Sequence, residues 1–201
     1  MGNLRSVSNA LAFLGCESSI SDRPEEIERA AALILPGVGA FGEAMHNLAE
    51  RNLVDPIRRA VGGSGTPLLG ICLGMQLIAE RSDERGRHEG LALIPGEVSR
   101  IPVPAGLPLP HVGWNPISVV RPDPFLSGLE DGESFYFVHS YCLSTDDEYV
   151  AARCSYGVDF VAAVQHDNIF ATQFHPERSQ TSGLRILRNF VTFAQAAQPT
   201  V

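Results

Sequence analysis

The pentapeptide Gly70-Ile71-Cys72-Leu73-Gly74 constrains this chain more than any other feature, because of what flanks it. The apolar run Pro67-Leu68-Leu69 leads in and Met75-Gln76-Leu77-Ile78-Ala79 leads out, so a strand passes into a helix across one cysteine. A bend that sharp pushes the apical side chain out beyond the end of a sheet. Glycines two positions before and after it remove the β-carbons that would collide. The dipole of the following helix favours thiolate over thiol, and thiolate is the attacking form. A buried structural cysteine between two packing glycines is the alternative, so the motif needs a partner.

The surrounding pattern fits such a unit. Leu4, Val7, Leu11 and Leu14 recur at helical spacing, 31–35 is an apolar run, 42–60 reads as helix and 67–71 as strand. That alternation predicts a parallel sheet with helices on its faces. Gly62, Gly63, Ser64 and Gly65 are followed by no Gly-Lys-Ser/Thr, so they connect elements and bind no phosphate. From about residue 91 short β-rich runs take over, at 98–103, 117–120, 134–138, 149–154, 160–165 and 169–174, which predicts hairpins layered on the sheet's end. A closing helix over 184–194 places Leu184, Leu187, Phe190, Val191 and Ala194 at core-facing spacing. The expectation is a single α/β domain over 1–201, with a central, mostly parallel sheet flanked by helices and extended by antiparallel hairpins.

Charge and cysteine usage narrow the function. Fifteen Lys and Arg against 23 Asp and Glu give a net charge of −8, which repels nucleic-acid phosphates. Cys16, Cys72, Cys142 and Cys154 form no C-x-x-C pair and no His cluster stands at zinc spacing, so neither disulfides, metal nor another cofactor is expected, and a reducing cytoplasm is. No apolar run approaches the roughly 18 residues of a membrane span. Met1, Gly2 and Ser6 fit the myristoylation pattern, but a first helix with its capping loop is the simpler reading.

The partner for Cys72 is His175-Pro176-Glu177, after the strand-like 169–174. In an extended segment side chains two apart point the same way, so Glu177 can hold one imidazole nitrogen while the other faces sulfur. His175 would then act as base toward the thiol and acid toward the leaving amine. Leu35-Pro36-Gly37-Val38-Gly39, at the end of another apolar strand, offers unobstructed backbone N–H groups. One donor from Gly37, Val38 or Gly39, together with the amide of Leu73, would complete an oxyanion hole. Gly37 to Gly42 also matches the dinucleotide pattern G-x-G-x-x-G, but the acidic residue that should end the next strand is missing, since that strand ends in the cysteine elbow.

These residues resemble the class I (triad) glutamine amidotransferases and, within them, the glutaminase subunits of imidazole glycerol phosphate synthase. The similarity runs nearly end to end, through Gly2-Asn3-Leu4-Arg5-Ser6-Val7, Leu35 to Gly42, Gly70 to Gln76, Pro110-His111-Val112-Gly113-Trp114-Asn115, Tyr136 to Tyr141 and Gln173 to Glu177. It implies a flavodoxin-like fold and glutamine hydrolysis through a thioester on Cys72. It also implies ammonia delivery to a (β/α)8 barrel cyclase in a heterodimer, a step of histidine biosynthesis. By position, Gln76 and Glu84 would hold the amino-acid head of glutamine, aided by Ser140 and Tyr141 beside His139. Asn3, Trp114, His139 and Arg178 would lie toward the barrel, although Trp114 could equally anchor the core.

Two departures stand out. The family usually has Lys after the Glu where this chain has Arg178, and a planar guanidinium does not replace an amine in every contact. Members normally begin with an apolar strand and Asp-Tyr-Gly ahead of Met-Gly-Asn, so the first central strand is expected to be missing here and a functional product to begin upstream. A catalytically silent partner subunit, or the glutaminase of another synthase such as that for anthranilate or pyridoxal phosphate, remains open at this point.

Overall fold

The helical spacing at the start gives α1 (Leu4–Phe13), with Val7, Ala10 and Leu11 buried, in a computed structural model that describes residues 4–122 and 124–198. Asn3 lies outside the described residues. A short α2 (Pro24–Arg29), unforeseen because it buries no residue, is set up by its ends: Pro24 in the first turn with Glu25 and Glu26, Arg29 in the last. Then come β1 (Leu33–Gly37), α3 (Phe41–Glu50), α4 (Val54–Arg58) and one π-helical turn at Arg59–Gly63. The single helix expected over 42–60 is thus broken. Asn52 adopts φ 56, the Leu53 amide folds back to Leu48 O at 2.9 Å, and Pro56 has no amide to continue a ladder.

Next follow β2 (Leu68–Cys72), α5 (Leu73–Leu77), β3 (Arg81–Ser82), β4 (His88–Glu89), β5 (Glu97–Arg100), β6 (His111–Val119), β7 (Ser134–His139) and β8 (Tyr141–Ser144). The chain closes with β9 (Val150–Ser155), β10 (Asp159–His166), β11 (Ile169–Thr172) and α6 (Gln180–Ala196). α5 stops short of the apolar run that predicted it, because the carbonyls of Leu77 and Ile78 accept the amides of Leu91 and Leu93, each at 2.8 Å.

The main sheet runs β1-β2-β11-β10-β9-β6-β7, and a smaller one runs β4-β3-β5-β8. Within the main sheet parallel pairing joins β1, β2 and β11, while β11 to β10, β10 to β9, β9 to β6 and β6 to β7 are antiparallel; in the smaller sheet β3 and β5 are parallel. The α/β class holds, but the predominance of parallel pairing does not. The β10–β11 link is too short for a crossover helix: Asp167, at φ 48, and Asn168 turn the chain straight back. Two apolar layers cover the sheet, and β2 feeds both by simple alternation. Leu69 and Ile71 pack with Val7, Leu11, Ile186 and Phe190 from α1 and α6, while Leu68 packs with Phe41, Leu73 and Met75 from α3 and α5.

β1 closes one end of the main sheet. Among the described residues no strand pairs with its outer edge. A cavity of about 460 Å³ lies on that side, bordered by Val7, Leu11, Ile34, Pro36 and Phe190.

Candidate active site

Cys72 sits where β2 becomes α5, at φ 55 and ψ −105, a conformation that costs a residue with a β-carbon free energy and that persists only when its surroundings impose it. The flanking glycines show how they impose it. A β-carbon on Gly74 would stand 1.6 Å from the carbonyl oxygen of Leu35, so the first turn of α5 lies directly on the β1 backbone. One on Gly70 would stand 2.9 Å from the backbone of Gly74, which folds back over it. Cys72 as a whole is left 6% exposed.

The His-Pro-Glu segment is pinned at several points. The His175 amide donates to Tyr136 O at 2.9 Å, the Ser179 hydroxyl donates to His175 O at 2.7 Å, and the Tyr136 amide donates to that hydroxyl oxygen at 3.0 Å. The expected extended geometry is not what joins His175 to Glu177. β11 ends at Thr172, and Pro176, whose ring presets φ, starts a 3-10 turn at Pro176–Arg178. Within that turn the Glu177 carboxylate accepts from His175 Nδ1 at 2.9 Å, both side chains being shut off from solvent. α6 presses on the turn: a β-carbon on Gly183 would lie 1.9 Å from Pro176 O.

His175 also hydrogen-bonds the Cys72 side chain. Burial alone would pull its pKa down, but the hydrogen bonds and the charges of Cys72 and Glu177 outweigh burial and carry it up to about 9. The imidazole is therefore held as imidazolium near neutrality. Two other buried thiols are raised: burial pushes Cys142 up to about 11, and burial with the charge of Asp159 pushes Cys154 up to about 12.

The glycine loop meets the elbow from β1. Gly37 stands opposite Cys72 in the parallel register, and a β-carbon on Gly37 would be 3.1 Å from that of Leu73, so the two segments singled out as oxyanion donors abut. Val38 is 54% exposed and Gly39 adopts φ 106 with open space around it. A cavity of about 390 Å³ bordered by Gly37, Val38, Gly39, Leu73 and Leu77 lies behind this loop, and neither Cys72 nor His175 lines it. Glu84 reaches the loop's far end, where its carboxylate accepts the Phe41 amide at 2.7 Å and so caps α3.

Gln76 is buried, and Nε2 donates to Tyr141 O at 3.0 Å and to Gln173 Oε1 at 3.1 Å. Gln173, which sequence reasoning passed over, turns its own Nε2 to Cys72 Sγ at 3.7 Å. Its signal was its place two residues before His175 at a strand's end. His139 is buried, donates from Nδ1 to Tyr141 O at 2.8 Å, and is lowered to about 4, chiefly by burial. The half-buried Ser140 offers its carbonyl to the Ile101 amide at 3.0 Å. Trp114 is no core anchor: it is 49% exposed, edge-on to Tyr136, whose ring carries the Arg178 guanidinium 4.5 Å above it.

Among the described residues no group of three or more His, Cys, Asp or Glu is placed to hold a metal ion, and no helix is long and apolar enough to cross a membrane. The family model "Glutamine amidotransferase class-I" matches residues 1–193. The chain is 50% identical to the imidazole glycerol phosphate synthase subunit HisH of Syntrophotalea carbinolica, covering 94% of this chain and 95% of the relative. To that of Archaeoglobus fulgidus it is 46% identical, covering 97% and 95%. Among solved structures it superposes on a glutamine amidotransferase with TM-score 0.76 at 23% identity, covering 96% of this chain and 95% of that one. It also superposes on the Trypanosoma brucei CTPS glutaminase domain with TM-score 0.62 at 14% identity, covering 99% and 90%. An elbow cysteine hydrogen-bonded to a carboxylate-braced histidine, on a chain matched along nearly its whole length, leads to one conclusion: the chain belongs to the class I glutamine amidotransferase family, among the HisH subunits of imidazole glycerol phosphate synthase.

Proposed function

We propose that this chain is the glutaminase subunit of an imidazole glycerol phosphate synthase, with Cys72 as nucleophile, His175 as proton carrier and Glu177 as its brace. The observation that carries this reading is the position of His175, hydrogen-bonded to Cys72 on one side and 2.9 Å from Glu177 on the other. The proton that leaves Cys72 is carried by His175, so that sulfur attacks as thiolate. Sulfur adds to the side-chain amide carbon of glutamine, and the oxyanion takes hydrogen bonds from the amide of Leu73 and from a donor among Gly37, Val38 and Gly39. Collapse breaks the C–N bond as the imidazolium proton passes to nitrogen, releasing ammonia and leaving a γ-glutamyl thioester. Water then attacks the thioester while His175 takes its proton, and glutamate departs with the thiolate and imidazolium restored.

Gln76 and Glu84 hold the head of glutamine with Ser140 and Tyr141, His139 lying behind them; the position of Gln76 two hydrogen bonds from sulfur, through Gln173, supports this. Ammonia goes to a (β/α)8 barrel cyclase that forms imidazole glycerol phosphate and aminoimidazole carboxamide ribotide in the cytoplasm. Val112, Trp114 and Arg178, all exposed along β6 and beside β7, form the surface that meets it. The test is ammonia release from glutamine with and without the cyclase and its nucleotide substrate. Cys72→Ala is expected to abolish release while leaving folding and cyclase binding intact; release retained by that variant defeats the mechanism.

A further inference from the structure

Buried His111 serves no step of the chemistry above. Its ring lies between Tyr156, with centroids 4.0 Å apart, and Phe137, at 5.0 Å, and it is 2% exposed. Its nitrogens nevertheless sit in an ordered sequence of contacts whose proton positions follow from elementary rules. A carbonyl only accepts, so His139 Nδ1, 2.8 Å from Tyr141 O, carries hydrogen. His139 Nε2 in the neutral ring is then an acceptor, and His111 Nδ1, 3.1 Å away, donates to it. His111 Nε2 in turn accepts from Asn115 Nδ2 at 3.3 Å, an amide whose orientation is fixed by its other contact, Ser155 O at 3.0 Å. Burial lowers the pKa of both histidines, in keeping with two neutral rings.

The other end of the sequence is the nucleophile. Tyr141 O accepts from His139 and, on its second lone pair, from Gln76 Nε2 at 3.0 Å. The remaining Gln76 hydrogen goes to Gln173 Oε1, and this leaves Gln173 Nε2 toward Cys72 Sγ. Every link from Asn115 to sulfur therefore has one permitted direction. We propose that His111 is a positioning residue for Cys72: by donating from Nδ1 it fixes the His139 tautomer, hence the Tyr141 carbonyl, hence the amide pair of Gln76 and Gln173 that faces the sulfur. Without that donor the His139 proton can move to Nε2. Its bare Nδ1 then opposes the lone pairs of the Tyr141 carbonyl at hydrogen-bond distance, and the anchor of Gln76 is displaced.

The inference rests on the glutaminase reading only for its bearing on turnover, and the test separates the two. His111→Phe keeps the aromatic stack and removes the donor; His111→Asn places an amide N–H near the site of Nδ1. Alkylation of Cys72 by iodoacetamide, read on the peptide carrying it, and glutamine turnover with the cyclase are measured for both. The Phe variant is expected to lose about tenfold in each, the effect of one hydrogen bond of ordinary net strength, and the Asn variant to return within about twofold of the parent. Equal losses in both variants, or none in the Phe variant, overturn the proposal. Should the Phe variant fail to fold, the unaltered protein still decides: long-range ¹H–¹⁵N spectra must show protons on Nδ1 of both His111 and His139, and a proton on His139 Nε2 refutes the assignment. A parent chain that alkylates normally with these tautomers yet never releases ammonia refutes the glutaminase reading instead.

Discussion

The two halves of the active site are built on opposite principles. Around Cys72 and His175 the backbone is packed until nothing larger than hydrogen fits: β-carbons at Gly74 and Gly183 would stand 1.6 and 1.9 Å from carbonyl oxygens, and the Glu177 side chain is sealed from solvent. Around 37–39 the chain is open, with Val38 54% exposed and nothing within reach of a β-carbon on Gly39. The difference teaches that the proton-transfer machinery is set by folding, whereas the loop offered as oxyanion donor has room to be set by something else. On the proposed reading, a subunit whose ammonia is used by a partner gains from that division: folding sets the nucleophile and leaves the anion site for the partner to set.

The sharpest challenge to the rigid half is Glu177→Gln. The amide keeps the shape and loses the charge that holds His175 as imidazolium, so turnover is expected to fall by roughly four orders of magnitude, as when the acid of a triad becomes an amide. Stability should follow. A folded pKa of about 9 lies above the ordinary 6.5, so the contribution of His175 is full below about pH 6.5 and is lost as pH rises through 9. Urea unfolding from pH 6 to 10 should show that alkaline loss in the parent and shift it to lower pH in the variant. A pH-independent parent would show that the charge pair is not held.

Next in size is Gly74→Ala. The added methyl collides with the Leu35 carbonyl, which belongs to a strand and has nowhere to go, so a loss of at least about 3 kcal/mol is expected by denaturant unfolding. A variant as stable as the parent would mean that the elbow is not over-determined, and the contrast between the two halves would fail there.

That rigid half was also the part most legible in sequence. Glycine spacing about Cys72 and the His175-Pro176-Glu177 triplet are local, written within five residues of the chemistry, although the segment expected to be extended turns at Pro176–Arg178. What escaped notice is non-local: Gln76 meets Gln173 across 97 positions and Tyr141 across 65, and no periodicity encodes such meetings. His111 and Asn115 escaped for the same reason. In the fold, long periodic elements such as α1 and α6 were plain. The two-residue strands β3 and β4 gave no pattern to read, and the break after α3 hung on a single residue, Asn52, in the left-handed region. The hairpins were foreseen, but not that their short turns would make antiparallel pairing dominate the sheet.

The open half makes a milder claim at its outer surface. Trp114→Ala removes a half-exposed ring that contacts Tyr136 edge-on, so unfolding free energy should stay within about 0.5 kcal/mol of the parent. Affinity for the cyclase should fall by about 2 kcal/mol, near thirtyfold, if the ring is an interface anchor. Titration calorimetry separates the two: weakened folding with intact binding would return Trp114 to a structural role.

The smallest expected effect tests the comparison most directly, because it repeats the Gly74 substitution in the other half. Gly39→Ala meets no neighbouring atom, and its whole cost is the φ of 106 that an alanine rarely adopts, about 1 kcal/mol. Turnover should nevertheless drop by about tenfold, since relief of that strain rotates the peptide planes from which the oxyanion donor comes. The decisive quantity is the ratio of the two losses. A Gly39 variant that loses stability as severely as the Gly74 variant would mean the loop is as locked as the elbow, and a partner could not set it. One that loses turnover while remaining folded, and recovers part of it when the cyclase and its nucleotide are bound, would locate the adjustable element of the site at the end of β1.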